Sequence, residues 1–164
     1  MAIARNLNDG VLKVKDGTAT PKSLTVALDQ GELKWERKQS IQPIYDRKTI
    51  KGQRRGRDQI VDVSFRVAYD FIAGDTSGTT PSLSEVLHGD GLAATLGWTS
   101  KDKTNGDYSV DLEFTITAPS GSGEKSEVIT FQKFQVSSYA PAEAEHVSMV
   151  EVKGQAVAIS VSRS

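Results

Sequence analysis

Arginine and lysine side chains are concentrated between Tyr45 and Asp58, where the sequence offers its clearest chemistry. Asp46 and Asp58 are the acidic residues of this stretch, against the cations Arg47, Lys48, Lys51, Arg54, Arg55 and Arg57. Clustered cationic groups attract phosphates and carboxylates. A nucleic acid, a membrane surface and a copy of the same protein are therefore candidate partners. A solvated hairpin without a partner fits the same residues.

The glycines of this stretch do not form a phosphate-binding loop. Gly52 and Gly56 bracket Gln-Arg-Arg, but no Gly-Lys-Ser/Thr ending follows them and the next pattern is a strand instead of a helix. Aromatic residues suited to stacking on bases are few, with Trp35 before the stretch and Tyr45 inside it. The sequence thus gives no specific signal for nucleotide or nucleic-acid recognition.

Candidate catalytic and metal-binding residues are few. The two histidines, His88 and His146, show no ligand spacing such as His-Glu-x-x-His. His88 is expected to be a structural or capping residue at a helix end, and His146 with its neighbours Glu143 and Glu145 to lie on a solvated loop. Ser122, between two glycines, lacks the strand and helix of a nucleophile elbow. We expect neither an enzyme, nor a metal site, nor a cofactor.

Charge is distributed unevenly along a chain of 164 residues whose net charge is −1. Residues 1–59 hold 13 basic and 7 acidic groups, so the remainder of the chain is acidic. Oppositely charged parts can attract copies of the same molecule. The sequence contains no cysteine, which excludes disulfides and thiolate metal sites.

Period-two alternation predicts a mainly β fold. Apolar residues alternate from Leu24 to Leu28, from Val61 to Phe71 and from Tyr108 to Ile116. Asp29–Gly31 predicts a turn after the first of these stretches, and 32–36 the returning strand. Asn105-Gly106 predicts a hairpin-type turn before the third. Strands of this kind bury one face, as in antiparallel sheets.

Later strands change phase, which predicts bulges or bends near Gln132–Lys133 and near Gly154. Such strands suit an antiparallel β-barrel or sandwich. One short flanking helix is predicted at 82–89, where Ser82 and Glu85 match a capping box. A long loop is predicted between the second and third strands, at 37–59. We expect residues 1–164 to form a single domain.

The order of these elements resembles the tail tube proteins of long-tailed bacteriophages along almost the whole chain. An N-terminal arm, residues 1–20, precedes a strand, an Asp-x-Gly turn and a strand containing Trp35. The basic loop, a Val-x-Val-x-Phe strand at Val61–Phe65, one helix and a closing strand at Val150–Gly154 follow. The likeness lies in this order of elements and not in one signature motif.

The resemblance implies a structural protein of the virion tail, assembled in the host cytoplasm. Copies would form rings, hexameric by resemblance, which stack into a tube with a continuous inner β-barrel. The basic loop would contact the neighbouring ring through the six cations named above. Tape-measure, tail terminator and baseplate or tip proteins would be further partners. DNA would pass through the lumen without sequence-specific binding, and no membrane is implied.

Two assignments stay open on the sequence. Asp107, Asp111 and Glu113 share one parity and are candidates for the lumen face, although the outer surface fits them equally well. A tube subunit of a phage-derived secretion or injection machine would have the same architecture. A monomeric β-sandwich that binds carbohydrate or protein, using Trp35, Trp98 and Tyr45 as a platform, is the remaining alternative.

Overall fold

A computed structural model describes residues 10–26, 28, 33–68, 78–104, 106–143 and 148–164, and only the backbone of 57–59. Eight strands and two helices lie in these ranges. In chain order they are β1 (Gly10–Lys15), β2 (Ser23–Val26), β3 (Lys34–Asp46), β4 (Thr49–Ala68), α1 (Leu83–His88), α2 (Gly91–Thr95), β5 (Val110–Ile116), β6 (Glu127–Ala142), β7 (Met149–Ala156) and β8 (Ala158–Arg163).

The strands form two sheets that share β6. The five-stranded sheet has the order β2-β1-β5-β6-β8, and the four-stranded sheet the order β3-β4-β7-β6. Residues 127–134 of β6 pair with β5, and residues 135–142 pair with β7. All of these pairings are antiparallel, and the strand path through the described residues does not close on itself. The mainly β, antiparallel fold predicted from the sequence is confirmed.

Alternating apolar residues build the core between the two sheets. Val61, Val63, Phe65 and Val67 of β4 are buried, as are alternate residues of β5 from Val110 to Ile116. Trp35 reaches this core from β3, with its ring centroid 5.6 Å from that of Phe131 in an edge-on contact. The two strand stripes are therefore confirmed in their described parts, although β5 begins at Val110 and not at Tyr108.

Some predictions concern residues that lie outside the described part of the chain. These are residues 1–9 of the N-terminal arm, the turn at Asp29–Gly31, the end of the β4 stripe at Tyr69 and Phe71, Asn105, Glu145 and His146.

The bulge predicted near Gln132–Lys133 is confirmed. Lys133 has a φ of 52°, and the pairing register between β5 and β6 shifts there. The bulge or bend predicted near Gly154 lies on the partner strand, where the register of β6 with β7 shifts between Val136, opposite Gly154, and Ser138, opposite Lys153. Gly154 pairs on both sides within β7, and the strand breaks at Val157, between β7 and β8. A glycine is needed at 154 because a Cβ atom there would lie 2.2 Å from the Gln135 carbonyl oxygen.

The predicted helix is confirmed as α1, but a second short helix follows it. Ser82 caps α1 in a capping box with Glu85, and Gly89 ends it in the left-handed conformation. The backbone N–H of Leu92 in α2 donates to Glu85 Oε1 at 3.0 Å. The prediction of one helix was wrong because α2, with five residues, is too short to show a helical period in the sequence. The contact with Glu85 of α1 helps to hold α2 in place.

The prediction of a long loop at 37–59 is also wrong. These residues continue β3 and β4 into a β-hairpin whose turn consists of Arg47 and Lys48. Charged and polar side chains dominate this segment, and its few apolar residues form no long alternating run, so the sequence pattern did not indicate strands there.

Candidate functional site

The hairpin made by residues 38–60 extends beyond the rest of the molecule's sheet. β4 pairs with β7 from Val61 to Ala68, whereas its residues 49–60 pair only with β3 among the described strands. A two-stranded ribbon has little stability by itself in water. We call residues 38–60 the projecting hairpin. A partner that packs against this ribbon would stabilise it.

The tip of the projecting hairpin carries two cations in a constrained backbone conformation. Arg47 and Lys48 have φ angles of 47° and 73°. Two consecutive residues at positive φ match a two-residue hairpin turn, a place that usually holds Asn or Gly. Side chains with a Cβ atom are strained in this region. The two strained residues are therefore the two cations at the outermost point of the hairpin.

One face of the projecting hairpin is apolar. Because side chains alternate along a strand, Ile41, Pro43 and Tyr45 of β3 share a face, and Ile50 lies opposite Tyr45 on β4. The exposed fractions of Ile41, Tyr45 and Ile50 are 64%, 62% and 61%. We call these four residues the apolar face. Contiguous exposed apolar side chains of this kind mark an interaction surface.

The arginines of the hairpin lie on both of its faces. Arg54 is opposite Gln42 and donates to its Oε1 at 3.1 Å. Arg55 is opposite Ile41, and the Gln39 amide, oriented with its oxygen toward Arg55, accepts from Nε at 3.0 Å and Nη2 at 2.6 Å. Near the tip, Lys51 Nζ lies 2.5 Å from Asp46 Oδ2. The side chain of Arg57 lies outside the described part of the structure.

The structure thus brings five of the six predicted cations together on one projecting element. The sequence located these charges, but it did not reveal the apolar face, which depends on the strand pairing. Four polar residues separate Tyr45 from Ile50 in the chain, and a bulge between Ile44 and Tyr45 brings Ile50 opposite Tyr45. A period-two count along each strand of a recognised hairpin would have found them.

The three acidic lumen candidates are not equivalent. Asp111 and Glu113 lie on the outer face of β5, where Asp111 Oδ2 is 3.2 Å from Lys101 Nζ and Glu113 Oε2 is 2.6 Å from Lys15 Nζ. Asp107 lies in the loop before β5 and is exposed. Two of the three carboxylates are therefore paired with lysines, and the third is not on the strand.

Other candidate chemistry has structural explanations. His88 Nδ1 lies 2.8 Å from the Ser84 carbonyl oxygen, one helical turn earlier, so the structural interpretation of His88 is supported. Ser122 lies in the loop between β5 and β6, where its Oγ accepts from the Glu124 backbone N–H. No group of three or more His, Asp or Glu residues in the described part of the chain could hold a metal ion. No helix there is long and apolar enough to cross a membrane.

The aromatic platform considered for a carbohydrate-binding module is absent. Trp98 is 9% exposed and belongs to the core, and Trp35 packs against Phe131. Only Tyr45 is exposed, and it lies on the projecting hairpin. These three residues therefore do not share a surface on which a sugar ring could stack.

A buried carboxylate that sequence analysis missed orders the region beside the helices. Asp16 is fully buried and accepts from the backbone N–H groups of Lys22 at 2.7 Å and Thr99 at 3.2 Å, and from Thr18 Oγ1 at 2.7 Å. Burial raises the pKa of Asp16, but these hydrogen bonds outweigh burial and hold the pKa below its ordinary value. Asp16 thus joins the β1–β2 turn to the segment after α2.

Comparison with solved structures finds the same fold in parts of contractile injection systems. The chain is similar to a protein of the anti-feeding prophage cap, which terminates the tube, with a TM-score of 0.66 and 9% identity over 100% of this chain and 94% of the other. It is also similar to a chain of the extended PVC sheath-tube complex, with a TM-score of 0.59 and 10% identity over 98% and 93%.

A third likeness is to a chain of the extended PVC sheath/tube terminator, with a TM-score of 0.59 and 11% identity over 99% of each chain. At these identities the likeness shows a shared fold. The chain therefore has the fold seen in tube and terminator components of phage-tail-like injection systems. No family model matches the sequence, and no curated protein matches it either.

Proposed function

We propose that this chain is a structural subunit of the tube of a phage tail or of a phage-derived contractile injection system. It assembles into rings, hexameric by resemblance, which stack head to tail. The observation that carries this proposal is the projecting hairpin, with its exposed apolar face, its cations and no third described strand beside it. Heterologous contacts of one surface with a different surface of the next copy build rings and open stacks.

The hairpin contacts the neighbouring ring in this assembly. Ile41, Tyr45 and Ile50 become buried on docking, which supplies hydrophobic free energy of about 25 cal/mol for each Å² removed from water. Arg47, Lys48 and Arg54 contact carboxylates on the acidic remainder of the adjacent copy. Lys51, Arg55 and Arg57 complete the proposed set. This role needs neither catalysis nor a cofactor.

The similar structures come from a sheath-tube complex and from tube caps or terminators, so we consider two related roles for this chain. A main tube subunit polymerises without a fixed length, whereas a terminator forms a ring on which no further ring stacks. The terminator is the second candidate because two of the three compared structures come from a tube cap or terminator. In a phage, DNA passes through the lumen and tape-measure and baseplate proteins are partners. In an injection system, the cargo of that system passes through the tube.

Negative-stain electron microscopy of the purified protein, with its mass from light scattering, tests this proposal. Tubes of variable length support the main tube subunit, and single rings that do not stack at high concentration support the terminator. A protein that stays monomeric at every concentration, and also with the sheath and baseplate proteins of its own gene neighbourhood, would overturn both roles.

A further inference from the structure

The apolar face of the projecting hairpin has a shape that suits a second copy of itself. Its members Ile41, Tyr45 and Ile50 are 61–64% exposed and stand on one side of a two-stranded ribbon. Two β-layers pack face to face about 10 Å apart, and the same surface on two copies meets about a two-fold axis. A pair of hairpins joined in this way would be closed, because neither copy would keep a hairpin for further contacts. A tube that grows by head-to-tail stacking therefore needs a feature that prevents this pairing.

Charge is divided between the projecting hairpin and the remainder of the chain. Residues 38–60 contain 7 basic and 2 acidic residues, a net charge of +5, whereas the remainder contains 13 basic and 19 acidic residues, a net charge of −6. Two hairpins therefore repel each other, and a hairpin is attracted to the remainder of another copy. The spacing of about 10 Å between packed β-layers is close to the Debye length of about 8 Å at physiological ionic strength, so two packed hairpins would experience this repulsion.

Arg55 brings one of these charges onto the apolar face itself. The strand pairing places Arg55 opposite Ile41, and opposed residues of an antiparallel pair share a face. The Gln39 amide, on the same face and oriented with its oxygen toward Arg55, accepts two hydrogen bonds from the guanidinium and holds it there. If two apolar faces packed together, both Arg55 side chains would lose water in a contact between two surfaces of the same sign. Removing a charge from water is unfavourable unless the new contact supplies an opposite charge.

Arg54 is a natural reference for Arg55. It has the same charge, is also exposed, and likewise contacts a glutamine, since its Nε donates to Gln42 Oε1 at 3.1 Å. Its pairing with Gln42 places Arg54 on the other face of the hairpin. A face-to-face contact of two hairpins would therefore bury Arg55 and leave Arg54 in water. Comparing the two residues separates the effect of position from that of net charge.

We propose that Arg55 determines the specificity of assembly by preventing the apolar faces of two hairpins from packing together. The apolar face then stays available for a different, acidic surface of the next copy, and the stack grows with one polarity. This inference rests on the proposed function, and it assigns to Arg55 the exclusion of a wrong contact. Selectivity between partners commonly depends on such unfavourable contacts as well as on favourable ones.

Chemical cross-linking measures how often two hairpins meet face to face, since the chain contains no cysteine of its own. Gln53→Cys is the parent variant, because Gln53 is exposed and lies opposite Pro43 on the apolar face. A short bismaleimide joins two such cysteines, and a denaturing gel shows the covalent dimer. Arg55→Gln and Arg54→Gln are added separately to this parent, and each removes one positive charge. All rates are measured at a protein concentration where light scattering finds monomers.

We expect Arg55→Gln to raise the initial rate of dimer formation about tenfold or more, because it removes a like charge from the contact, and Arg54→Gln to change the rate less than about threefold. In the parent, the rate should rise between about 0.1 M and about 1 M salt, since the Debye length falls from about 10 to about 3 Å. By electron microscopy, Arg55→Gln without the cysteine should form pairs of rings joined through their hairpins in place of long tubes.

Equal rates for the two arginine variants, or a rate in the parent that does not respond to salt, would overturn the inference. Tubes formed by the wild-type protein would then leave the tube function standing. Thermal melts check that both arginine variants keep the fold of the parent, and if Arg55→Gln does not fold, the salt dependence of the parent decides. The absence of rings and tubes from the wild-type protein, under every condition named for the proposed function, would instead remove the tube function and the role of Arg55 in stacking with it.

Discussion

Arg54 and Arg55 are neighbours in the chain but lie on opposite faces of the projecting hairpin. Arg54 donates to Gln42, whereas Arg55 contacts Gln39 and lies opposite Ile41 at the border of the apolar face. A partner that covers the apolar face therefore meets Arg55, and Arg54 faces the other side. The hairpin can make contacts on both sides at once, as an element inserted between other subunits requires.

Reversing both of these charges is expected to prevent polymerisation without unfolding the subunit. Arg54 and Arg55 are exposed, and surface substitutions usually change stability by less than about 0.5 kcal/mol. We expect Arg54→Glu/Arg55→Glu to have a wild-type thermal melt and circular dichroism spectrum, yet form no tubes by electron microscopy. Lys103→Glu/Lys125→Glu, which reverses two exposed charges elsewhere, is the control. Normal tubes from the hairpin variant would show that these arginines do not act between subunits.

Assembly is expected to protect the hairpin from trypsin. In the free subunit, residues 38–60 form a two-stranded ribbon that can open locally, and it offers cleavage sites at Lys51, Arg54 and Arg55. Limited digestion followed by mass spectrometry should find first cuts here in monomers and protection in tubes. Lys13 and Lys15, inside β1 and paired on both sides, serve as internal controls. Equal cleavage of the hairpin in both states would contradict its role as an interface.

Asp16→Asn is expected to destabilise the subunit at neutral pH by about 1–3 kcal/mol, because an amide cannot accept all the hydrogen bonds of the carboxylate. The pKa of Asp16 is lowered in the folded state, so the stabilisation is present above the unfolded value of about 3.9 and is lost as the pH falls through the folded value. Urea unfolding at pH 7 and pH 3 measures the difference, which should shrink at the lower pH. The exposed Asp107→Asn is the control. A difference that does not depend on pH would contradict the assignment.

Gly154→Ala is expected to cost about 1–3 kcal/mol through overpacking. Its Cβ atom would lie 2.2 Å from the Gln135 carbonyl oxygen and 2.5 Å from the ring of Phe134. Gly52→Ala is the matched control, since a Cβ atom there meets nothing within 4 Å. Both variants are compared by urea unfolding. Equal stabilities would mean that the close packing of β7 against β6 does not depend on this glycine.

Tyr108→Phe is expected to leave stability unchanged or to raise it slightly. The Tyr108 hydroxyl is buried and has no hydrogen-bond partner among the described residues. Burial, and to a lesser extent the charge of Asp16, raises the pKa of Tyr108 to about 12, so the group stays protonated at neutral pH. Removing a buried polar group without a partner relieves part of its desolvation cost of about 1–3 kcal/mol, and the small void left by the oxygen atom offsets part of that gain. A clear loss of stability in urea, with the exposed Tyr45→Phe unchanged, would reveal a partner for this hydroxyl.

Elements that face the core were predictable from the sequence. Val61–Val67 and Val110–Ile116 alternate because one side of each strand is buried, and Ser82 with Glu85 marked the start of α1 through a purely local hydrogen-bond pattern. The projecting hairpin was not predicted as strands because no core imposes alternation on it. Its cations were located by their clustering, but Ile50 joins Ile41, Pro43 and Tyr45 on one face only when the two strands pair across a bulge.

Contacts between distant parts of the chain were also beyond the sequence. Asp16 accepts a hydrogen bond from the backbone N–H of Thr99, 83 residues later, and no local sequence pattern indicates that partner. The edges of the four-stranded sheet depend on strand order, which alternation along each strand does not encode.

The bulge at Lys133 has a geometric consequence for a closed ring. Of the described strands, β6 alone belongs to both sheets, and it passes from one to the other at this residue. In a ring of identical subunits, each subunit is related to the next by the same rotation. These rotations must add up to one full turn. The angle between the two sheets depends on the backbone at Lys133, so a local change there would recur in every subunit. In the proposed ring, the effect of a local change at this one residue would therefore be multiplied by the number of subunits.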